Sequence, residues 1–235
     1  MKILAVDTST RCGSLAILHD ARVLAQVSSQ EDTLYSERLF RDLARLQTMT
    51  QFQLKEIDLF AVSTGPGSFT SLRVGLTAVK AWAELYQKPI AGVSGLLAVA
   101  AQSKANTWAV APFLDARRGQ IYGAIYQRRP EDNVAWQLLG EEAVLSGEEF
   151  LTRVKGELGK ELPMIVSPTP EALDPALKVA MLSGTEIESV SGILAPVVGT
   201  LGFQQARHGE LQDALTLDAN YIRRSDAELF WKAPR

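Results

Sequence analysis

The chain has 235 residues, 46% of them hydrophobic and 22% charged, with a formal net charge of −3 and an isoelectric point near 5.5. Such values belong to a folded protein long enough for one large domain or two lobes, and they exclude a disordered chain. The basic excess of a protein that grips nucleic acid on its own is missing, so any contact with RNA is expected to run through another subunit.

At the N-terminus, KILAVDTSTRCGSLAIL reads as a β-hairpin: Ile3 to Val6 form an apolar strand, DTSTRCG supplies the turn, and SLAIL restarts the strand pattern. The apolar run meets Asp7 too early for a signal peptide, and no later run is long enough to span a bilayer. From Ser36 to Thr48, Leu39, Phe40, Leu43 and Leu46 mark one face of an amphipathic helix. Ile57 to Ser63 predicts a buried strand, GPGSFT a turn, Ser68 to Tyr86 a second helix ended by Lys88-Pro89, Pro89 to Val93 a strand, and Leu96 to Gln102 a short helix. AVAPFLDARRGQIYGAIY then repeats the first plan: a strand ending at Asp115, a turn to Gly119, and a returning strand from Gln120 to Tyr126. The two aspartates stand about one small domain's length apart, which predicts two related α/β lobes. The boundaries read as 1–105 for the first lobe, completed by 213–235, and 106–212 for a smaller second lobe.

Two features between the hairpins bear on function. In the second helix Leu72, Leu76, Val79 and Ala83 form one apolar stripe, and Gly75, Ala78, Trp82 and Leu85 form another. A helix apolar on two faces is covered on both, here by the core and by either a partner or the second lobe. The preceding turn lacks the P-loop lysine, and the third glycine of a dinucleotide site is replaced by Thr70. What remains is a helix start with Ser68 or Thr70 as cap and Arg73 one turn in, able to hold an anion, or else a structural turn in which Gly65 and Gly67 supply positive φ.

ILAVDTST, GPGSFTSLRVGLTAVK, LDARRGQIYGAIY and YIRRSDAE together resemble the bacterial TsaB (YeaZ) family of tRNA threonylcarbamoyladenosine biosynthesis proteins. The resemblance implies the two-lobed fold of actin, sugar kinases and Hsp70-type ATPases, with ribonuclease H-like lobes. It further implies a non-catalytic subunit, cytoplasmic, which docks and activates the catalytic paralogue TsaD alongside the ATPase TsaE and meets tRNA only through the complex. In this family the first two helices pair with the paralogue, or with a second copy when the protein is alone. The implied interface is Leu39, Phe40, Leu43, Leu46, Leu72, Gly75, Leu76, Ala78, Val79 and Trp82.

In ATPases of this fold an aspartate at each hairpin mouth faces phosphate and magnesium. The corresponding set here is Asp7, Thr8, Ser9, Gly65, Gly67, Ser68, Thr70, Arg73 and Asp115, expected to be a vestigial site with at most weak ATP or ADP binding. No cofactor is required on this reading. The alternative is an autonomous kinase or ATPase. The paralogue's His-x-x-x-His metal pair has no counterpart, because His19 and His208 are far apart. Cys12 stands without a neighbouring histidine, which reads as a filler in a reducing compartment rather than a nucleophile. Two departures from the family pattern are Tyr35, where relatives carry histidine, and Ser71, in place of glycine.

Overall fold

In the computed structural model, which describes residues 1–29, 35–129, 132–157, 163–173 and 187–223, the chain opens with the hairpin β1 (Lys2–Asp7) and β2 (Ser14–His19). Strand β3 (Arg22–Ser28) extends it, and α1 (Tyr35–Thr50) follows. After a 3₁₀ turn over Leu54–Glu56, β4 (Leu59–Gly65) lies parallel to β1, starting two residues later than its apolar run suggests. Helix α2 (Phe69–Tyr86), β5 (Ile90–Ser94) and α3 (Gly95–Ala100) complete this half. The backbone leaves α2 through Gln87 in the left-handed region, just ahead of Lys88-Pro89.

The second half repeats the plan with β6 (Ala109–Arg117), β7 (Gln120–Arg129), β8 (Asp132–Ser146), α4 (Gly147–Glu157), β9 (Met164–Ser167) and β10 (Ile187–Ser189), and α5 (Ala195–His208) ends it. The first sheet has the order β3-β2-β1-β4-β5, and the second, read the same way, β8-β7-β6-β9-β10. In each the opening hairpin is antiparallel and the fourth and fifth strands run parallel to the first. Two lobes with one strand order and one pattern of directions make this the duplicated ribonuclease H-like, actin-like α/β fold.

The central strands of each sheet are buried on both faces, as their apolar runs require, whereas the edge strands β3 and β8 are mostly half-buried or exposed. On β1, Leu4 and Val6 face α1 and α2, whereas Ile3 and Ala5 face a central core holding α3, α5 and the inner face of the second sheet. The outer face of the second sheet packs on α4 through Phe113, Ile125 and Phe150. Helix α5 corrects the expected lobe boundary at 212. It lies on the first sheet, so close that a Cβ at Gly199 would stand 2.3 Å from Leu18 and one at Gly202 would stand 2.8 Å from Ala61. Small residues at one-turn spacing let the helix axis approach the strands, and this tertiary fit leaves no trace in local periodicity. Residues 213–223 run back over the first lobe, with Leu217 buried, and Arg224 and Trp231 lie outside the described residues.

Candidate functional site: an inter-lobe cleft and an apolar groove

Two concave features flank the start of α2. The first is a cleft of about 930 Å³ between the lobes, walled by the β1–β2 turn, the Pro66–Ser68 turn, the β6–β7 turn, Pro168–Thr169 and residues 220–223. The second, about 580 Å³ and almost wholly apolar, lies on the outer side of α2 and is lined by Phe40, Phe69, Val74, Ala78, Ala81 and Trp82, with Thr70, Arg73 and Thr77 at its rim.

The expected nucleotide set is split by this geometry. Ser9, Gly67, Ser68 and Asp115 line the cleft. Asp7 lies behind them, 1% exposed, its Oδ1 accepting from the Ser9 amide at 3.0 Å and the Ser9 hydroxyl at 2.5 Å, and its Oδ2 from Thr10 Oγ1 at 3.0 Å. Ser63 donates in turn to Ser9 at 3.2 Å. Burial pushes the Asp7 carboxyl above its usual range against the pull of these hydrogen bonds. Asp7 therefore fastens the turn rather than facing the cleft. Thr8 is buried against α2, where a Cβ at Gly75 would stand 2.4 Å from its Oγ1.

Gly65 has φ +108° and needs glycine for that reason, but φ at Gly67 is not positive. Gly67 is small because a Cβ there would stand 2.3 Å from the Ser9 carbonyl oxygen. The two turns thus meet backbone to backbone. Ser68 takes the N-cap position of α2 without a capping side-chain bond, and the hydroxyl of Ser71, the departure from glycine, donates to Ser68 at 3.0 Å. Thr70 and Arg73 point away from the cleft: Arg73 lies 3.8 Å over the Phe69 ring and its Nε donates to the Tyr221 hydroxyl at 3.2 Å. Of the two readings of this helix start, an anion site or a structural turn, Arg73 adds nothing to the first, because it lines the groove and not the cleft. Asp115 accepts the Arg117 amide at 2.7 Å and faces the Arg117 guanidinium at 3.5 Å.

The expected interface set is corrected as well. Leu39, Leu43, Leu46, Leu72, Leu76 and Val79 are 0–6% exposed and belong to the chain's own core, and Gly75 packs on Thr8. The apolar periodicity marks both faces of α2 equally and does not say which one the sheet covers. Phe40, at 56% exposure, stands on Trp82 edge to face at 6.4 Å, and Trp82 fills the floor of the groove on Phe60. Met49 and Leu85, 56% and 70% exposed, lie at the ends of α1 and α2 and do not line the groove. Phe69, Val74 and Ala81 escape sequence reasoning, although Phe69 stands inside GPGSFT, where a turn has little reason to carry an aromatic ring.

A polar tie between the lobes was also not legible. Glu142 on β8 accepts from Ser94 Oγ at the N-cap of α3, from the Tyr126 hydroxyl on β7 and from Asn220 Nδ2. Burial first, then the Glu142 carboxylate, holds the Tyr126 phenol well above its ordinary range, so it remains a donor. Arg223 completes the crossing by donating to the Ala116 carbonyl at 2.7 Å and to Gln120.

Comparison with known proteins bears on the family and the fold. The family model for TsaD, tRNA N6-adenosine threonylcarbamoyltransferase, matches residues 23–195. The Escherichia coli tRNA threonylcarbamoyladenosine biosynthesis protein TsaB is 34% identical over 164 residues, 67% of this chain and 69% of that protein. The chain belongs to the TsaB (YeaZ) family. The Bacillus subtilis TsaB matches along almost the whole length, 26% identical over 98% of each chain. YeaZ from Pseudomonas aeruginosa superposes with a TM-score of 0.73 at 26% identity, covering 94% of this chain and 99% of that one. The TsaB resemblance thus extends through the second lobe, where sequence motifs alone are weak. Among the described residues no helix is long and apolar enough to cross a membrane.

Proposed function

We propose that this chain serves tRNA threonylcarbamoyladenosine biosynthesis as a non-catalytic subunit. It docks and activates a TsaD-type transferase through the α1–α2 groove, a TsaE-type ATPase acts on the pair, and tRNA meets the chain only within the complex. The observation that carries this reading is the groove itself. Surface aromatics over an apolar concavity are the usual anchors of a protein interface, and here Phe40 and Trp82 line the concavity together with Phe69, Val74 and Ala81. The acidic net charge favours a protein partner over direct RNA binding. In the absence of the transferase the same face would pair two copies of the chain.

Two kinds of observation favour a supporting over a catalytic role. The Asp7 oxygens are taken up by three donors from its own turn, and Gly67 is filled by the Ser9 backbone where phosphate would approach. The cleft nevertheless has the volume of a nucleotide site, so weak ATP or ADP binding belongs to the proposal and turnover does not.

The test is docking of the purified TsaD-type paralogue by titration calorimetry. Phe40→Asp places a charge on the groove at an exposed side chain that meets the core at Trp82, and we expect affinity to fall at least thirtyfold, about 2 kcal/mol, with the circular dichroism spectrum unchanged. Unaltered binding by both Phe40→Asp and Ala81→Asp would remove the groove from the interface.

A further inference from the structure

The cleft and the groove share a wall. Phe69 lines both, Tyr221 lines the cleft, and Arg73 lines the groove. The three form one cluster: the Tyr221 and Phe69 rings lie 4.8 Å apart, the Arg73 guanidinium lies 3.8 Å from the Phe69 centroid and 5.9 Å from that of Tyr221, and Arg73 Nε is bonded to the Tyr221 hydroxyl at 3.2 Å. Tyr221 itself is 40% exposed.

What holds it is the segment 212–223, and that segment is anchored to both lobes. On the first lobe, Gln212 and Ile90 exchange two backbone bonds of 2.8 Å, Leu217 is buried, and the Asn220 amide donates to the Thr64 carbonyl at 2.8 Å. On the second lobe, the Asn220 side chain is bonded to Glu142, and Arg223 to Ala116 and Gln120. Tyr221 stands between these two sets of anchors. A rotation that widens the cleft carries Glu142, Ala116 and Gln120 away from Thr64, and the chain at 220–223 has to follow one lobe or the other. In either case the ring shifts on Phe69 and the bond to Arg73 is strained, at the rim of the groove.

We infer that Tyr221 couples the opening of the inter-lobe cleft to the shape of the docking groove, so that partner binding favours one lobe arrangement and cleft closure favours partner binding. Such coupling is reciprocal because both processes bias one two-state element. The inference rests on the groove being the docking face. Tyr221 and Arg73 act here as positioning residues, since the anchoring surface is supplied by Phe40 and Trp82.

The test uses the full chain carrying Cys12→Ser, with spin labels on Arg22→Cys in the first lobe and Glu148→Cys in the second, and inter-label distances measured with and without the TsaD-type paralogue. In the otherwise native chain, saturating paralogue is expected to narrow the distance distribution. In Tyr221→Ala the paralogue is expected to bind about tenfold more weakly and to leave the distribution unchanged, while Tyr221→Phe, which keeps the ring contact, retains most of the response. Loss of docking in Phe40→Asp together with an undiminished distance response in Tyr221→Ala overturns the coupling alone, as does a native distribution that ignores the paralogue. Normal docking by both Phe40→Asp and Ala81→Asp overturns the docking face and the coupling with it.

Discussion

Asp7 illustrates how a residue typical of a catalytic position acts as a fastener. Its carboxyl has lost solvent, and burial raises its pKa above the ordinary 3.8 although Ser9, Thr10 and Ser63 oppose the rise. A carboxyl raised in the fold keeps a proton that the unfolded chain has released. The stability tied to that proton is full below 3.8 and is lost as pH rises through the folded value. Asp7→Asn retains an acceptor for Ser9 and offers an amide to the Thr10 hydroxyl, so it removes this dependence. Measured by urea unfolding, its stability relative to the native chain should rise between about pH 4 and about pH 7. A difference that stays constant across that interval would mean Asp7 is ionised in both states. Only part of this was legible in the sequence. The strand-to-turn transition put Asp7 at the mouth of the hairpin, but the direction of its side chain is set by Ser9 and Thr10 folding back over it, and by the Pro66–Ser68 turn closing on Ser9 from a segment far away in the chain.

At the scale of elements, α2 carries the division of labour. One side, with Leu72, Leu76, Val79 and Ala83, closes the core on the first sheet, while Val74, Thr77, Ala81 and Leu85 face outward, with Ala78 and Trp82 at the margin. Substitutions on the two sides should therefore part company. Leu76→Ala should cost about 2–5 kcal/mol of folding stability whether or not a partner is present, whereas Phe40→Asp should cost at most about 1.5 kcal/mol, through the edge-to-face contact with Trp82, and act mainly on docking. Chemical denaturation of both variants distinguishes them, and equal destabilisation would place Phe40 in the fold rather than on its surface. The helices and strands themselves were readable, because 3.6-residue and two-residue periodicities are local. Which apolar stripe meets the sheet was not, since Leu72 and Trp82 look alike in composition and differ only in what the rest of the chain brings to them. The same holds for α5, whose Gly199 and Gly202 have meaning only against Leu18 and Ala61.

For the whole molecule, the repeated strand order is the feature that the two hairpins foretold, and the ties across it are what they left unsaid. Glu142 gathers Ser94, Tyr126 and Asn220, and Arg223 reaches the second lobe from a segment that belongs to the first. Single polar residues such as these carry no periodic signal, so a sequence shows that they exist but not that they meet. Their combined effect is a molecule of two like halves held at a defined angle, with an apolar groove presented on the outer side of one of them. On this account the work of the chain is to hold a partner in an active arrangement rather than to carry out chemistry in its own cleft. The most direct measurement is threonylcarbamoyl transfer to tRNA by purified TsaD-type transferase and TsaE-type ATPase with a threonylcarbamoyl-adenylate donor, with and without this chain. Product is expected only when the chain is present, retained with Asp7→Asn and lost with Phe40→Asp. Equal product in its absence, or loss of product in a folded Asp7→Asn protein that still docks, would contradict it.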